Sequence, residues 1–266
     1  MRLNFNQKRA RLEKLGVRFL HFFEIDSTNS EAIRRARIGE REGLVIYADF
    51  QSRGRGRRGR SWQAPLSSSL LVSVLLEPRI PAEVQGLLPV ITGLAGAEAI
   101  FHLTGFKPGI IWPNDLWGKQ GKLGGVLVEG IYQGERFQAV AGLGINLLQE
   151  KKHFPEEFRP RASSLKIETG ENIARDELLL EFLEKLFFWK TCLEKGKLQS
   201  IVEQYKGYDI IKEKEVRIFF QGNTIKARAK GIDQKGRLRI EKEGKEELIS
   251  AGEIIMLRSE EDAFGD

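Results

Sequence analysis

After about residue 210 the chain offers no stretch long enough for a packed helix. From Glu215 to Leu257 it reads EVRIFFQGNTIKARAKGIDQKGRLRIEKEGKEELISAGEIIML, short β-type runs broken by Gln-Gly-Asn, Asp-Gln-Lys-Gly and Glu-Gly-Lys turns. Such runs can bury apolar side chains only by folding onto one another, which predicts a five-strand barrel or sandwich of about 50 residues. Everything before it is of a different character. The sequence therefore divides into a mixed α/β domain at 1–210 and a small all-β domain at 211–266. No internal repeat or low-complexity tail interrupts either part.

In the first part, VRFLHFFEI (17–25), GLVIYADFQ (43–51) and SSLLVSVLLEP (68–78) read as strands. Thr28, Asn29, Ser30 and Glu31 have the spacing of a capping box, so a helix is expected from Thr28 to Gly39. GLLPVITGLAGAEAIFHLTG (86–105) reads as a buried helix. GIIWPNDLW (109–117) reads as a short strand ending in a turn, since Pro113 cannot extend a central strand. Residues 122–132 and 137–148 read as a hairpin of two long strands. Residues 149–172 look irregular, 174–196 form a strongly amphipathic helix, and 198–206 a shorter one. The start, MRLNFNQKRARLEKLG, reads as a short charged helix without a signal-peptide core. No apolar run is expected to reach the ~18 residues of a membrane span. A single cysteine, Cys192, excludes an internal disulfide and suits a reducing cytoplasm. With only three histidines beside it, no metal-ligand spacing is present.

One stretch stands out chemically. FQSRGRGRRGRSW (50–62) puts five arginines and three glycines between Ser52 and Arg60. A disordered basic tail would sit at a terminus or in a polar run, whereas this segment lies between two apolar strands. Glycines let a backbone approach a ligand closely, and arginines supply forked donors that match phosphate and carboxylate. The net charge of +6 agrees with an anionic partner without choosing among nucleic acid, phosphates and acidic proteins. A second cluster is WPNDLWGKQGKLGGVLVEG (112–130), where Asp115 and Lys122 flank a turn. Taken alone, Asn114 and Asp115 are ordinary turn residues and Lys122 an ordinary edge lysine. A third is AGLGINL (141–147), in which two glycines within a strand mark a close approach by a ligand or another backbone.

Together these blocks resemble the biotin protein ligases. The resemblance runs through DSTN (26–29), Q-x-x-GRGRRGR-x-W (51–62), WPND (112–115), KLGGVLVE (122–129), GLGINL (142–147) and GID-x-x-G-x-L (231–238). It implies an α/β (α+β) fold: a catalytic domain like that of class II aminoacyl-tRNA synthetases, with a mixed sheet and flanking helices, followed by a small SH3-like β-barrel. Some 16 residues precede the first strand, so the short, monofunctional class without an N-terminal DNA-binding domain is expected. The implied chemistry is ATP-dependent activation of biotin to biotinyl-5′-AMP, then transfer to a lysine of a biotin carboxyl carrier protein. Mg²⁺ is implied as well, with its ligands unassigned. No DNA or membrane partner is expected, and the resemblance leaves monomer and homodimer open.

By the same resemblance, Ser27, Thr28, Asn29 and Gln51 contact biotin, and Arg55, Gly56 and Arg57 wrap its tail and the phosphate. Gly142 and Gly144 leave room for the biotin rings. Lys122 reaches the carboxylate and bridging phosphate oxygens, so Lys122 and Arg57 carry the chemistry. Arg57, Arg58, Trp62, Asn114, Asp115 and Asn146 serve the adenylate. Two positions depart from the family pattern: Ile111 stands where lysine is common, and Arg53 where alanine is common. A lipoate-type ligase would use the same adenylate chemistry. A nucleic-acid-binding protein would use the basic loop differently, but no ladder of stacking aromatics accompanies the arginines.

Overall fold

All eight residues of the strand Ser69–Leu76 are buried. A strand with no wet face needs cover on both sides, and the rest of the domain supplies it. The computed structural model describes residues 5–220 and 222–257. The predicted start of the first helix at 1–4, Gln221 of the predicted Gln-Gly-Asn turn, and residues 258–266 of the predicted second domain lie outside the described residues. In chain order the first part comprises α1 (Phe5–Lys14), β1 (Arg18–Ile25), α2 (Thr28–Arg37), β2 (Leu44–Gln51), β3 (Ser69–Leu76), α3 (Leu87–Thr104), β4 (Gly109–Ile111), β5 (Asp115–Gly118), β6 (Gly121–Gln133), β7 (Arg136–Asn146), α4 (Leu165–Thr169), α5 (Arg175–Glu194) and α6 (Leu198–Lys206). The seven strands form one sheet in the order β1-β2-β3-β7-β6-β5-β4. Only β1 and β2 run parallel, and α2 is the crossover between them. α2 covers one face with Ala32 and Ala36, and α3 and α5 cover the other.

The mixed sheet with flanking helices is the expected fold class. Three local readings differ. The segment 109–117 is two strands, β4 and β5, because the Trp-Pro-Asn turn reverses the chain between Ile111 and Asp115. The irregular stretch 149–172 contains α4, a helix too short for periodicity to reveal, capped by Ser164 through the Ile167 N–H at 3.2 Å. α3 is long and apolar enough to cross a membrane, with mean hydropathy 1.4, contrary to the expectation that no such run exists. It lies instead between the sheet and α5, with 67% of its residues buried inside the protein.

The second part holds β8 (Glu215–Phe220), β9 (Asn223–Ile232), β10 (Leu238–Lys242), β11 (Lys245–Ile249) and β12 (Glu253–Leu257), an antiparallel sheet in the order β11-β10-β9-β8-β12. Hydrogen bonds tie it to the first part. The indole N–H of buried Trp112 donates to Gly236 O at 3.0 Å. At the joint, Ile110 N–H donates to Tyr208 O at 2.7 Å and Ile210 N–H to Ile110 O at 3.2 Å.

Asp209 sits in that joint. One oxygen accepts the Ile211 N–H at 3.1 Å, while Oδ2 is buried without a partner, as is the Tyr205 hydroxyl. Burial pushes the Asp209 carboxyl up to about 6 against opposing backbone hydrogen bonds and Lys212. The folded state thus holds this proton more tightly than the unfolded chain, so stability falls as pH rises from about 4 through about 6. Asp209→Asn is expected to stabilise the protein at pH 8 by roughly 1–3 kcal/mol, a gain that shrinks towards pH 5. Thermal unfolding at the two pH values checks this; an unchanged midpoint at pH 8 contradicts it.

Candidate active site

β1 and β2 run side by side and end together, Ile25 beside Gln51. The chain leaving β1 turns at Asp26 into α2. The Arg34 guanidinium holds the Asp26 carboxyl down at about 2, so Asp26 is a fixed anion that accepts the Ser27 N–H at 2.7 Å. Ser27, not Thr28, is the N-cap: its side chain accepts from Ser30 N–H, and Glu31 turns to Arg34 and Arg35 instead of closing a capping box. Thr28 is thereby free to face inward. Its N–H and hydroxyl meet Gln51 Oε1 at 2.7 and 3.0 Å. Next to it Asn29 accepts from the Ser73 hydroxyl at 2.5 Å and donates to Glu129 at 2.9 Å and Leu127 O at 3.1 Å. Ser27, Thr28, Asn29 and Ser73 are all buried, so this is a dry, internally satisfied polar cluster.

The chain leaving β2 forms the arginine loop, and it is ordered. Trp62 N–H donates to Gly54 O at 2.9 Å and Gly56 N–H to Arg60 O at 2.8 Å, folding residues 54–62 into a small clasp with Arg57–Gly59 at its tip. Arg55 makes a forked pair with Glu129, at 2.8 and 3.2 Å. Arg60 and Arg58 both reach Glu253 of the small domain. Arg57 is different. It meets only neutral oxygens, Asn114 Oδ1 at 2.9 Å and Gly252 O at 3.4 Å. Burial, and after it the nearby Arg58, press its pKa below the ordinary value. Arg57 is a half-buried cation with no carboxylate in direct contact. Lys122 lines the same cleft, its Nζ 2.7 Å from Asp115 Oδ2, the two residues being held on adjacent strands β5 and β6.

The cleft floor is the sheet itself. Gly142, Gly144 and Gly125 face it beside Leu71, Val72 and Leu127. Gly142 and Gly144 were expected to leave room for a ligand ring directly. Here that room is taken by protein: a Cβ at Gly142 would collide with the Asn29 amide, and one at Gly144 would lie 2.8 Å from the Trp62 ring. The Trp62 indole N–H is buried with no acceptor. Asn146 was expected to face the adenylate. It lies outside the cleft lining, where its amide donates to Ser163 O at 3.0 Å and accepts from Gln149 at 3.1 Å. Gln51, Arg55, Gly56, Arg57, Arg58, Asn114, Asp115 and Lys122 all line the cleft, as does the departing residue Ile111, whereas Arg53 is exposed and outside it. Three lining or supporting residues were not anticipated. Ser73 is a lone hydroxyl in an apolar strand, a signal that could have been read. Glu129 closes the quoted KLGGVLVE block. Glu253 comes from the other domain, and no local pattern announces it.

The profile of the Biotin/lipoate A/B protein ligase family matches residues 24–146, and that of the Biotin protein ligase C terminal domain matches residues 213–257. Biotin–[acetyl-CoA-carboxylase] ligase of Mycobacterium tuberculosis is 30% identical over 243 residues, covering 87% of this chain and 86% of that protein. The bifunctional ligase/repressor BirA of Escherichia coli is 33% identical over 240 residues, covering 89% of this chain and 73% of that protein. Among solved structures, biotin protein ligase from Aquifex aeolicus in complex with biotin and ATP superposes with a TM-score of 0.78 at 28% identity, over 91% of this chain and 99% of the other. The chain belongs to the biotin protein ligase family.

Proposed function

We propose that this protein joins biotin to a carrier protein in two steps. The biotin carboxylate attacks the α-phosphorus of ATP, releasing pyrophosphate and leaving biotinyl-5′-AMP. The amine of an acceptor lysine then attacks the acyl carbon, forming an amide and releasing AMP. The observation that carries this reading is Arg57, a half-buried guanidinium without a carboxylate in direct contact, lining the same cleft as Lys122. Bringing a carboxylate onto a polyphosphate concentrates negative charge, and cations fixed in advance stabilise that charge without reorganising.

In this scheme Lys122 and Arg57 flank the reacting carboxylate and phosphate. Ser27, Thr28, Asn29 and Gln51 offer a polar face to the biotin ureido group, with Ser73 behind them, and Leu71, Val72, Val126 and Leu143 offer apolar walls to its thiophane ring and tail. Trp62, Arg58, Asn114 and Asp115 form the nucleotide side. A chain with one buried cysteine, Cys192, needs no covalent enzyme intermediate for this chemistry.

No group of three or more His, Cys, Asp or Glu that could cage a metal occurs among the described residues. That donor set fits Mg²⁺ brought by the nucleotide, which binds through one or two carboxylates and substrate phosphates. Asp115 is the residue that would hold it. The ion would neutralise phosphate charge, while Asp115 also orients Lys122.

The arginines support an internal role over nucleic-acid binding: Arg55, Arg58 and Arg60 are already engaged by Glu129 and Glu253. The partner is a carrier domain presenting a lysine, in a reducing cytoplasm. Incubation with labelled biotin, MgATP and a biotin carrier domain tests the proposal, with lipoate as the competing acid. Label on the carrier lysine is expected with biotin; transfer of lipoate alone would overturn the reading.

A further inference from the structure

The distance between Lys122 and Asp115 depends on a turn that the local sequence cannot hold by itself. β5 and β6 are joined by two residues, Lys119 and Gln120, between the paired glycines Gly118 and Gly121. Two-residue hairpin turns favour positive φ at one or both central positions, usually with glycine or asparagine there. Neither Lys119 nor Gln120 has positive φ; the chain takes up the twist at Gly121, with φ of 136°. The turn's backbone donors are answered from elsewhere. Glu168, on α4, accepts the Lys119 N–H at 2.9 Å through one oxygen and the Gln120 N–H at 2.9 Å through the other.

The same carboxylate accepts the Ser163 hydroxyl at 2.5 Å, and Ser163 N–H donates to the Lys122 carbonyl at 2.8 Å. The Gln120 side chain adds a bond to Ile167 O at 3.1 Å, and Lys151 ties the Gln120 carbonyl to that of Ala162 at 3.0 and 2.8 Å. Gly118 completes the arrangement, because a Cβ there would collide with the Glu168 carboxyl. Glu168 does not line the cleft.

We propose that Glu168 is a positioning residue for the reaction: by capping the β5–β6 turn it sets where Lys122 stands relative to Asp115 and the cleft. This rests on the ligase reading for its effect on rate, but its structural part does not. Charge-assisted hydrogen bonds from two backbone N–H groups to one carboxylate are short and directional, so they fix the turn rather than merely favour it. Misplacing a reacting group by an ångström can cost on the order of 10²-fold in rate. The residues proposed to meet the biotin ureido group lie on α2 and β2, and Glu168 bonds to none of them, so biotin affinity should be spared.

The test uses the full chain. In Glu168→Ala, pyrophosphate release with biotin and MgATP should fall roughly 10- to 100-fold in kcat, with KM for biotin nearly unchanged. Glu168→Gln, which keeps one acceptor oxygen, should recover part of the loss. Gly118→Ala should reproduce the defect by displacing the carboxylate, and adding it to Glu168→Ala should cost nothing further. If Glu168→Ala does not fold, the Gly118→Ala split between kcat and KM decides. Wild-type kcat in folded Glu168→Ala, or fully additive losses in the double variant, would overturn the proposal. Amide hydrogen exchange at Lys119 and Gln120 separates the two readings: it should speed up in Glu168→Ala whatever the reaction. Wild-type protein that releases no pyrophosphate with biotin would refute the ligase reading alone, and unchanged exchange at both amides would refute the role of Glu168.

Discussion

Lys122→Ala is expected to reduce adenylate formation by two to three orders of magnitude. Lys122 is the cation paired to Asp115 at the cleft among the described residues, 2.7 Å away. Removing it does two things. It deletes a positive charge where carboxylate and phosphate meet, and it leaves the Asp115 carboxylate unneutralised beside them. A preorganised donor to developing charge is typically worth ~3–4 kcal/mol, which is the origin of the expected factor. Biotin binding should change less, because the cluster at Thr28, Asn29 and Gln51, proposed to meet the ureido group, is untouched. Pyrophosphate release checks the rate and calorimetric titration with biotin checks the binding. A variant that releases pyrophosphate at near the normal rate would remove Lys122 from the chemistry.

The second large effect is expected from Arg57→Gly, and it is of another kind. Biotinyl-AMP is a mixed anhydride that water or any amine can consume, so retention matters as much as formation. The loop that covers the cleft is fastened at its flanks by Glu129 and Glu253, while Arg57 at its tip has only Asn114 Oδ1 and Gly252 O. An anion in the cleft would give Arg57 its missing charged partner. Losing that contact costs ~1.5–3 kcal/mol, or roughly 10- to 150-fold in retention. The variant should still make adenylate but release it, and so label an unrelated lysine-rich protein present in the mixture. Equal bystander labelling by wild type and variant, at equal adenylate formation, would show that Arg57 does not hold the intermediate.

The class of fold was readable because its elements carry strong apolar signals. β3 is a continuous apolar run, α5 a long helix, and the segment after residue 210 a series of short β-type runs. With Leu178 to Leu183 buried in succession, α5 is covered on several faces and is not the strongly amphipathic helix expected. α4 was not readable, being five residues long and set by a serine cap. The pair β4 and β5 merged into one expected strand because three or four residues carry no period.

At the site, the order of the motif blocks brought the right segments to attention, and most of their polar residues do line one cleft. What sequence alone could not give was the use each side chain is put to. The helix cap falls on Ser27 and not on Thr28, because which of two adjacent hydroxyls caps a helix depends on backbone angles, while both residues line the cleft. Asn146 shares by alternation the face of Gly142 and Gly144, yet as the last residue of β7 it lies outside the cleft lining, where Ser163 and Gln149 take its amide, and neither alternation nor a resemblance reveals those partners. Glu168 and Glu253 act across 48 and 193 residues of sequence, beyond the reach of any local pattern.

Those separations bear on how the protein comes to exist. Asn29 meets Glu129 across 100 residues, and Arg57 meets Gly252 across 195. Contacts of such high order must wait for the intervening chain, and during synthesis the N-terminal part is made first. The serine-threonine-asparagine turn is translated within the first thirty residues, yet its partner on β6 emerges much later. The tip of the arginine loop can meet Asn114 once β4 and β5 are made, but its contacts with Gly252 and Glu253 wait until nearly the whole chain has left the ribosome. A nascent chain can therefore complete its polar cluster well before the arginine loop gains its last contacts, and the two events are separated by the synthesis of everything from Glu129 to Glu253.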